Sequence, residues 1–369
     1  MKTSFYLIIF SFMFSCTNKN QFENPEISQL PNGRAKDWVS FITRRIANSR
    51  KNHFNSLNQY HIEKEEAIES LKAHNSNDKN HITWIGHATF LIKIHEIAIL
   101  TDPFFSDVAG KFGFGPKRYV PLPINIDDIA KVDLIICTHN HYDHLDIKSL
   151  KKIRKKFGDC IQVLCPLGLA KYFYSAGFTK VTELNWYEKS RILGIEISCL
   201  PAIHNSGRSL FDKNQTLWCS FGLKTDSFTL YFSGDTAYDP KLFKKIHSFL
   251  GDCDLCILGI GSYEPEKLLG KFHANPEEAV KIAVDFNAKN IVGMHWGTLN
   301  LSDEPIDEPI NRFNKSAYSS GFTSESIWLM KIGETRCITG CSFNTENIST
   351  NSEFFIQDQK NNPIRPCRN

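Results

Sequence analysis

The sequence predicts an α/β fold, a four-layer αββα sandwich in which two sheets meet face to face and helices cover the outside. Three observations predict it. Short β-rich runs dominate the middle of the chain, the earlier ones meet in hairpins, and helical patterns alternate with the later ones. The 369 residues are 41% hydrophobic, with 28 Phe, and 22% charged, which supplies a deep core and excludes a disordered or collagen-like chain. Since α/β units of roughly 250 residues still fold as one domain, one large domain with short extensions is expected. The 43 basic and 40 acidic residues leave a charge of +3, too near balance to argue for a nucleic-acid partner.

Residues 1–16 read as a signal peptide: Lys2, an apolar run from Phe5 to Phe14 too short to span a bilayer, then Ser15 and Cys16. The ending resembles a bacterial lipoprotein signal with Cys16 as the lipidated N-terminus. Export and a lipid anchor on a bacterial membrane, facing periplasm or exterior, are therefore expected. Residues 17–35 read as a mobile polar linker, 36–341 as the folded domain, and 342–369 as a loosely ordered polar tail.

Within the domain, Trp38, Phe41, Ile42 and Ile46 recur at helical spacing, and a second helix is expected around Glu63 to Ala73; both brace the domain from outside. The β-rich runs follow: ITWIGHATFLIKI, EIAILTDP, VDLIICTH, CIQVLCP, RILGIEISCLPAIH, LWCSFGLKT with SFTLYFSGDT, CDLCILGIG and NIVGMHW. The clearest helix begins at Asn275 as N-cap, with Pro276 at its first position, Glu277 and Glu278 in its first turn, and an apolar stripe through Ala279, Val280, Ile282, Ala283 and Phe286. Cys137, Cys160, Cys165, Cys199 and Cys219 lie in strand-like stretches and read as small buried hydrophobes. Cys253 and Cys256 have redox or zinc spacing, but i and i+3 in a strand point to opposite faces. A disulfide between Cys337 and Cys341 stays open.

The sharpest chemical signal is THNHYDHLD, residues 138–146, which follows an apolar strand and holds His139, His141, Asp143 and His144. Imidazole and carboxylate are ligands for zinc and related metals, and a strand opening into a turn aims successive side chains into one cleft. These are too many ligands for one tetrahedral site with an open position. His204, Asp235 and His295 each follow another apolar run. Alone, a His after a strand is more often structural; three such ends plus the cluster point to convergence on one edge of the sandwich. The set closes as His139, His141 and His204 on one ion, Asp143, His144 and His295 on a second, with Asp235 bridging.

The order HxHxDH, His, Asp, His resembles the metallo-β-lactamase fold hydrolases. WIGHATFLI, LTDPFFS, GPKR, PAIHNSGRSLFDKNQTLWCSF, SGDT, SYEP, HANPEEA and MHWGT are similar, more narrowly, to the N-acylphosphatidylethanolamine-hydrolysing phospholipase D family over residues 38–339. The resemblance implies a sandwich of metallo-β-lactamase type and two zinc ions (Zn2+) per chain. It also implies hydrolysis of N-acylphosphatidylethanolamine to N-acylethanolamine and phosphatidate by a hydroxide activated between them. The seven ligands fall on the family's metal positions, with Asp143 and Asp235 as its catalytic carboxylates. Asp102 falls on the position that orients a ligand His. Tyr142 and His273 fall on substrate-contacting positions, and His273 stands two residues before the N-cap Asn275, where a phosphate is favoured. His87 reads as a structural His within an apolar strand, and His53, His61, His74 and His81 as part of a polar leader.

Phe104, Phe105, Phe112, Phe114 and Tyr119 alternate with Lys111, Lys117 and Arg118, a mixture suited to a bilayer interface. The Lys-rich stretch 148–156 fits anionic lipid or a solvated helix face. A phospholipid substrate at a membrane surface and no nucleic acid are expected, and the oligomeric state stays open, a homodimer included. Two other readings keep the site: a hydrolase of this fold acting on a sugar-phosphate lactone or another phosphodiester, and a non-catalytic metal-binding lipoprotein.

Overall fold

The computed structural model describes residues 21–25, 34–48, 57–76, 79–209 and 211–338. The expected signal peptide with Cys16, most of the expected linker, and the tail 342–369 lie outside the described residues.

The strands are β1 (His81–Gly86), β2 (Thr89–Ile94), β3 (Ile97–Thr101), β4 (Leu134–Ile136), β5 (Gln162–Pro166), β6 (Lys180–Leu184) and β7 (Lys189–Ile192), then β8 (Ile195–Leu200), β9 (Ser220–Lys224), β10 (Thr229–Phe232), β11 (Leu255–Gly259), β12 (Asn290–Met294), β13 (Ile327–Trp328) and β14 (Thr335–Cys337). The helices are α1 (Ala35–Asn48), α2 (Lys64–Asn75), α3 (Ile147–Phe157), α4 (Ala170–Ser175), α5 (Pro240–Leu250), α6 (Glu266–Leu269), α7 (Pro276–Asp285) and α8 (Glu308–Ser319). One seven-stranded sheet runs β14-β1-β2-β3-β4-β5-β6, the other β13-β12-β11-β10-β9-β8-β7. In both sheets antiparallel hairpins give way to parallel strands: β3 to β6 in the first, β10 to β13 in the second. The architecture is the four-layer αββα sandwich.

The side-chain period of two builds the layers. Ile82 and Trp84 of β1, Phe90 and Ile92 of β2, and Leu134 and Ile136 of β4 belong to the central core. Their neighbours Ile85, Leu91 and Ile135 face the other way, into an outer cluster with Leu71 of α2, Leu150 and Ile153 of α3 and Phe173 of α4. With both faces covered, these strands read as continuous apolar runs. The central core continues through the second sheet to Phe243 of α5, Val280 of α7 and Phe313 of α8. Asn275 caps α7 as its sequence demands: its side chain accepts from Glu278 N, and the Glu278 carboxylate accepts from Asn275 N.

Several expectations change. Gln21 and Phe22 of the linker, expected to be mobile, donate backbone hydrogen bonds to Asn214 O, and Asn24 Oδ1 accepts from His204 N at 3.0 Å. Cys160 is exposed and disulfide-bonded rather than a buried thiol, because it sits in the turn before β5 rather than in the strand. Cys137, Cys165, Cys199 and Cys219 are buried free thiols. Cys253 precedes β11, so strand alternation does not separate it from Cys256, and the two buried free thiols meet. Cys337 is a free thiol. His81 is a buried residue of β1 rather than part of a polar leader.

Candidate metal centre

Six strand ends deliver the site. The turn after β1 carries His87, the residue after β3 is Asp102, and the loop from β4 to α3 holds His139, His141, Tyr142, Asp143 and His144. His204 follows β8, Asp235 follows β10, and His295 follows β12. His87, Asp102 and His295 have φ of 57°, 35° and 65°, a left-handed backbone that costs on the order of 1 kcal/mol or more for a residue other than glycine and gathers at functional sites.

The side chains converge in two groups of four, and Asp235, His273 and His295 form a third, overlapping set. His139, His141, His204 and Asp235 each offer a ligand atom within 4.8 Å of the others, and so do His87, Asp143, His144 and His295. Asp235 stands between the groups. Its Oδ2 lies 3.8 Å from His139 Nε2, 3.6 Å from His204 Nε2 and 3.2 Å from His144 Nε2, while Oδ1 lies 3.2 Å from His295 Nε2. Within the first group His141 Nδ1 is 2.9 Å from His139 Nε2 and 3.2 Å from His204 Nε2. Within the second, Asp143 Oδ2 is 3.6 Å from His144 Nε2 and 3.7 Å from His295 Nε2.

The outer ring nitrogens fix which atoms face inward. His144 Nδ1–H donates to Asp102 Oδ2 at 2.8 Å, and His204 Nδ1–H donates to Phe272 O at 2.9 Å, so both Nε2 atoms face into the cluster. Asp102 also accepts from Thr138 N and Thr138 Oγ1, both at 2.7 Å, and Thr138 Oγ1 in turn lies 2.9 Å from His139 Nδ1. One buried carboxylate thus steadies residues of both groups.

Charge follows from these contacts. Burial holds His139, His141 and His204 below the usual imidazole value, so they are neutral donors of lone pairs. Burial also opposes charge on His144 and His295, but the Asp235 and Asp143 carboxylates outweigh it, raising His144 well above its ordinary value and His295 to about 9. Burial would raise Asp143 and Asp235 too, and the imidazolium charge beside them holds both well below the carboxylate range. Burial pushes Asp102 up, against its bonds from His144 and Thr138. A dication entering this cage displaces protons from the same nitrogens, so its affinity rises with pH.

The donor set fits metal ions. Asp235 Oδ1 is buried without a hydrogen-bond partner, which proteins rarely tolerate, and neutral imidazoles packed nitrogen to nitrogen have too few protons to satisfy one another.

His87 is the residue the sequence pattern misses. It lies in a turn rather than in a strand, its ring is 1% exposed, and Nε2 donates to Asp143 Oδ2 at 2.9 Å. Its backbone O also receives His295 N. The available signal was the Gly86-His87 pair, where a strand must turn. His273 Nδ1 lies 3.8 Å from Asp235 Oδ2, beside the cluster, and burial lowers its pKa to about 4. Tyr142 lies at the rim: its hydroxyl donates to Arg208 O at 3.0 Å, and the Arg208 guanidinium covers its ring at 3.9 Å.

The beta-lactamase superfamily domain profile matches residues 98–296. The chain is 40% identical over 226 residues to N-acyl-phosphatidylethanolamine-hydrolyzing phospholipase D 1 of Caenorhabditis elegans, covering 58% of this chain and 63% of that one. It is 38% identical over 261 residues to the mitochondrial N-acyl-phosphatidylethanolamine-hydrolyzing phospholipase D of Saccharomyces cerevisiae, covering 69% and 55%. The match thus spans less than two thirds of either relative. Among solved structures, an isothiocyanate hydrolase from Delia radicum gut bacteria shares the fold, with a TM-score of 0.56 at 21% identity over 70% of this chain and 98% of that one.

Proposed function

Because the chain belongs to the beta-lactamase superfamily, we propose that it is a metal-dependent phosphodiesterase of phospholipase D type, hydrolysing N-acylphosphatidylethanolamine at a pair of zinc ions. The observation that carries the reading is Asp235, one carboxylate within 3.8 Å of ligand nitrogens from both clusters. His139, His141 and His204 would hold one ion, Asp143, His144 and His295 the other, with Asp235 shared. Bound there, two cations would bring a water toward neutral pKa and stabilise charge on phosphoryl oxygens.

The chain's own residues supply the remainder. Asp102 keeps His144 in the tautomer that turns Nε2 inward, and the Phe272 carbonyl does the same for His204. His87 holds Asp143, whose depressed pKa suits a carboxylate that binds a cation rather than one that carries a proton. His273, neutral beside Asp235 and close to the N-terminus of α7, is placed to donate to a phosphate oxygen. Tyr142, fixed by Arg208, forms a wall for the head group. Support for the lipid comes from the two relatives' names and from exposed aromatics near the rim.

Purified protein incubated with N-acylphosphatidylethanolamine vesicles should release N-acylethanolamine, and chelation or Asp235→Asn should abolish the release. Background release from vesicles by a preparation that cleaves soluble phosphodiesters would replace the lipid with another ester.

A further inference from the structure

Strand β8 ends at Leu200, and beyond it Ile203 and His204 give consecutive backbone amides to side-chain oxygens. Ile203 N donates to Thr236 Oγ1 at 3.0 Å, and Ile203 O accepts from Ala237 N at 2.9 Å, so this residue is tied to the turn that carries Asp235. His204 N donates to Asn24 Oδ1, also at 3.0 Å, from a position 180 residues earlier in the chain. His204 is only 2% exposed, and a buried N–H deprived of its acceptor is costly, so the ligand's own main chain depends on that oxygen. Its ring is held separately, with Nδ1–H on the Phe272 carbonyl.

Asn24 belongs to a short segment, residues 21–25, that grips the loop leaving His204 at both ends. Gln21 N and Phe22 N donate to Asn214 O at 3.2 and 3.1 Å. Asn214 in turn closes the loop on itself: its N donates to Ser206 O at 2.9 Å, and its Oδ1 accepts from Ser206 N at 3.1 Å. Between those points the loop carries Arg208, which donates to Asn140 O and Leu145 O of the ligand-bearing loop after β4 and covers the Tyr142 ring. Pro25 confines Asn24 before it to extended backbone, so the segment loses less freedom when it docks. The second group of ligands is steadied from elsewhere. Asp102 holds His144, and His87 holds Asp143 by its ring and His295 by its backbone O. A change at Asn24 therefore reaches the centre through His204, in the first group.

We propose that Asn24 is a positioning residue of the metal centre: segment 21–25 straps the loop of His204 in place, and affinity for the first ion depends on that strap. The proposal rests on the reading of the centre as a two-cation site and is independent of the substrate.

The full chain, stripped of metal by chelation, is titrated with cobalt(II) as wild type and as Asn24→Ala. Ligand-field absorption and a competing chelator give the affinity of each binding step. His141→Ala and His295→Ala, each lacking a ligand of one group, assign the steps to the first and second ion. Asn24→Ala is expected to weaken the first step about 10- to 100-fold and to leave the second unchanged. Asn24→Asp, which keeps an acceptor oxygen for His204 N, should restore most of the loss. Asn24→Ser, whose oxygen has a shorter reach, should fall between the two, and it carries the test if the alanine chain does not fold. Urea unfolding of the metal-free chains is followed alongside. A bond that serves only the fold would lower the unfolding midpoint with both affinities together or with neither, and either result would overturn the proposal. So would Asn24→Asp behaving like Asn24→Ala. Two ions bound equally well by wild type and Asn24→Ala would remove this proposal and leave the metal centre, whereas a wild-type chain that takes up no cobalt would remove both.

Discussion

Asp235 and His87 mark opposite limits of what single residues disclose. Asp235 follows an apolar run and carries a carboxylate able to face two cations, so its chemistry is visible in the sequence before its position is known. His87 looks like any His in an apolar stretch; its importance comes from Asp143, 56 positions away, whose Oδ2 its Nε2–H reaches. Replacing His87 with Ala leaves that carboxylate oxygen without its donor and frees Asp143 to turn away. Affinity for the second ion should fall about 10- to 100-fold, with His87→Gln restoring part of it through its amide N–H. Metal titration of the two variants checks this, and wild-type affinity in His87→Ala would show that His87 only fills space.

At the scale of elements, helices and strands with regular periods were legible. The α1 stripe, the α7 cap and the apolar runs of β1 to β5 and β8 to β12 all declare themselves, because burial on one or both faces leaves a period of 3.6 or an unbroken apolar run. Turns were not. The hairpin 107–118, the turn at His87 and the exposed Cys160 depend on where the chain reverses, and neither aromatic content nor cysteine spacing encodes that. The ligand-bearing turns rely on close packing, as at Gly234, just before Asp235. It has φ 53°, and a Cβ there would come within 2.7 Å of Thr138 Cγ2. Thr138 is the link between Asp102 and His139, so Gly234→Ala should disturb both metal groups. A loss of about 2–4 kcal/mol in urea unfolding, with reduced metal content, is expected. An unchanged unfolding midpoint would show that the turn is more yielding than this packing implies.

At the scale of the molecule, two sheets bring their strand ends to one edge, and residues from 87 to 295 meet there. The sandwich could be read from alternating elements, and the grouping of ligands from their types and order. What could not be read was closure around them: Asn24, from a segment expected to be mobile, holds the backbone of His204, and a buried Thr138 ties Asp102 to His139. Such contacts join positions whose sequence neighbours carry no sign of the partner. The central claim is that this edge holds two cations sharing Asp235. Anomalous diffraction from crystals grown with zinc tests it most directly. The account predicts two peaks about 3.5–4 Å apart, one against His139, His141 and His204, the other against Asp143, His144 and His295, both within bonding distance of Asp235. A single peak, or peaks that leave Asp235 unbound, would contradict it.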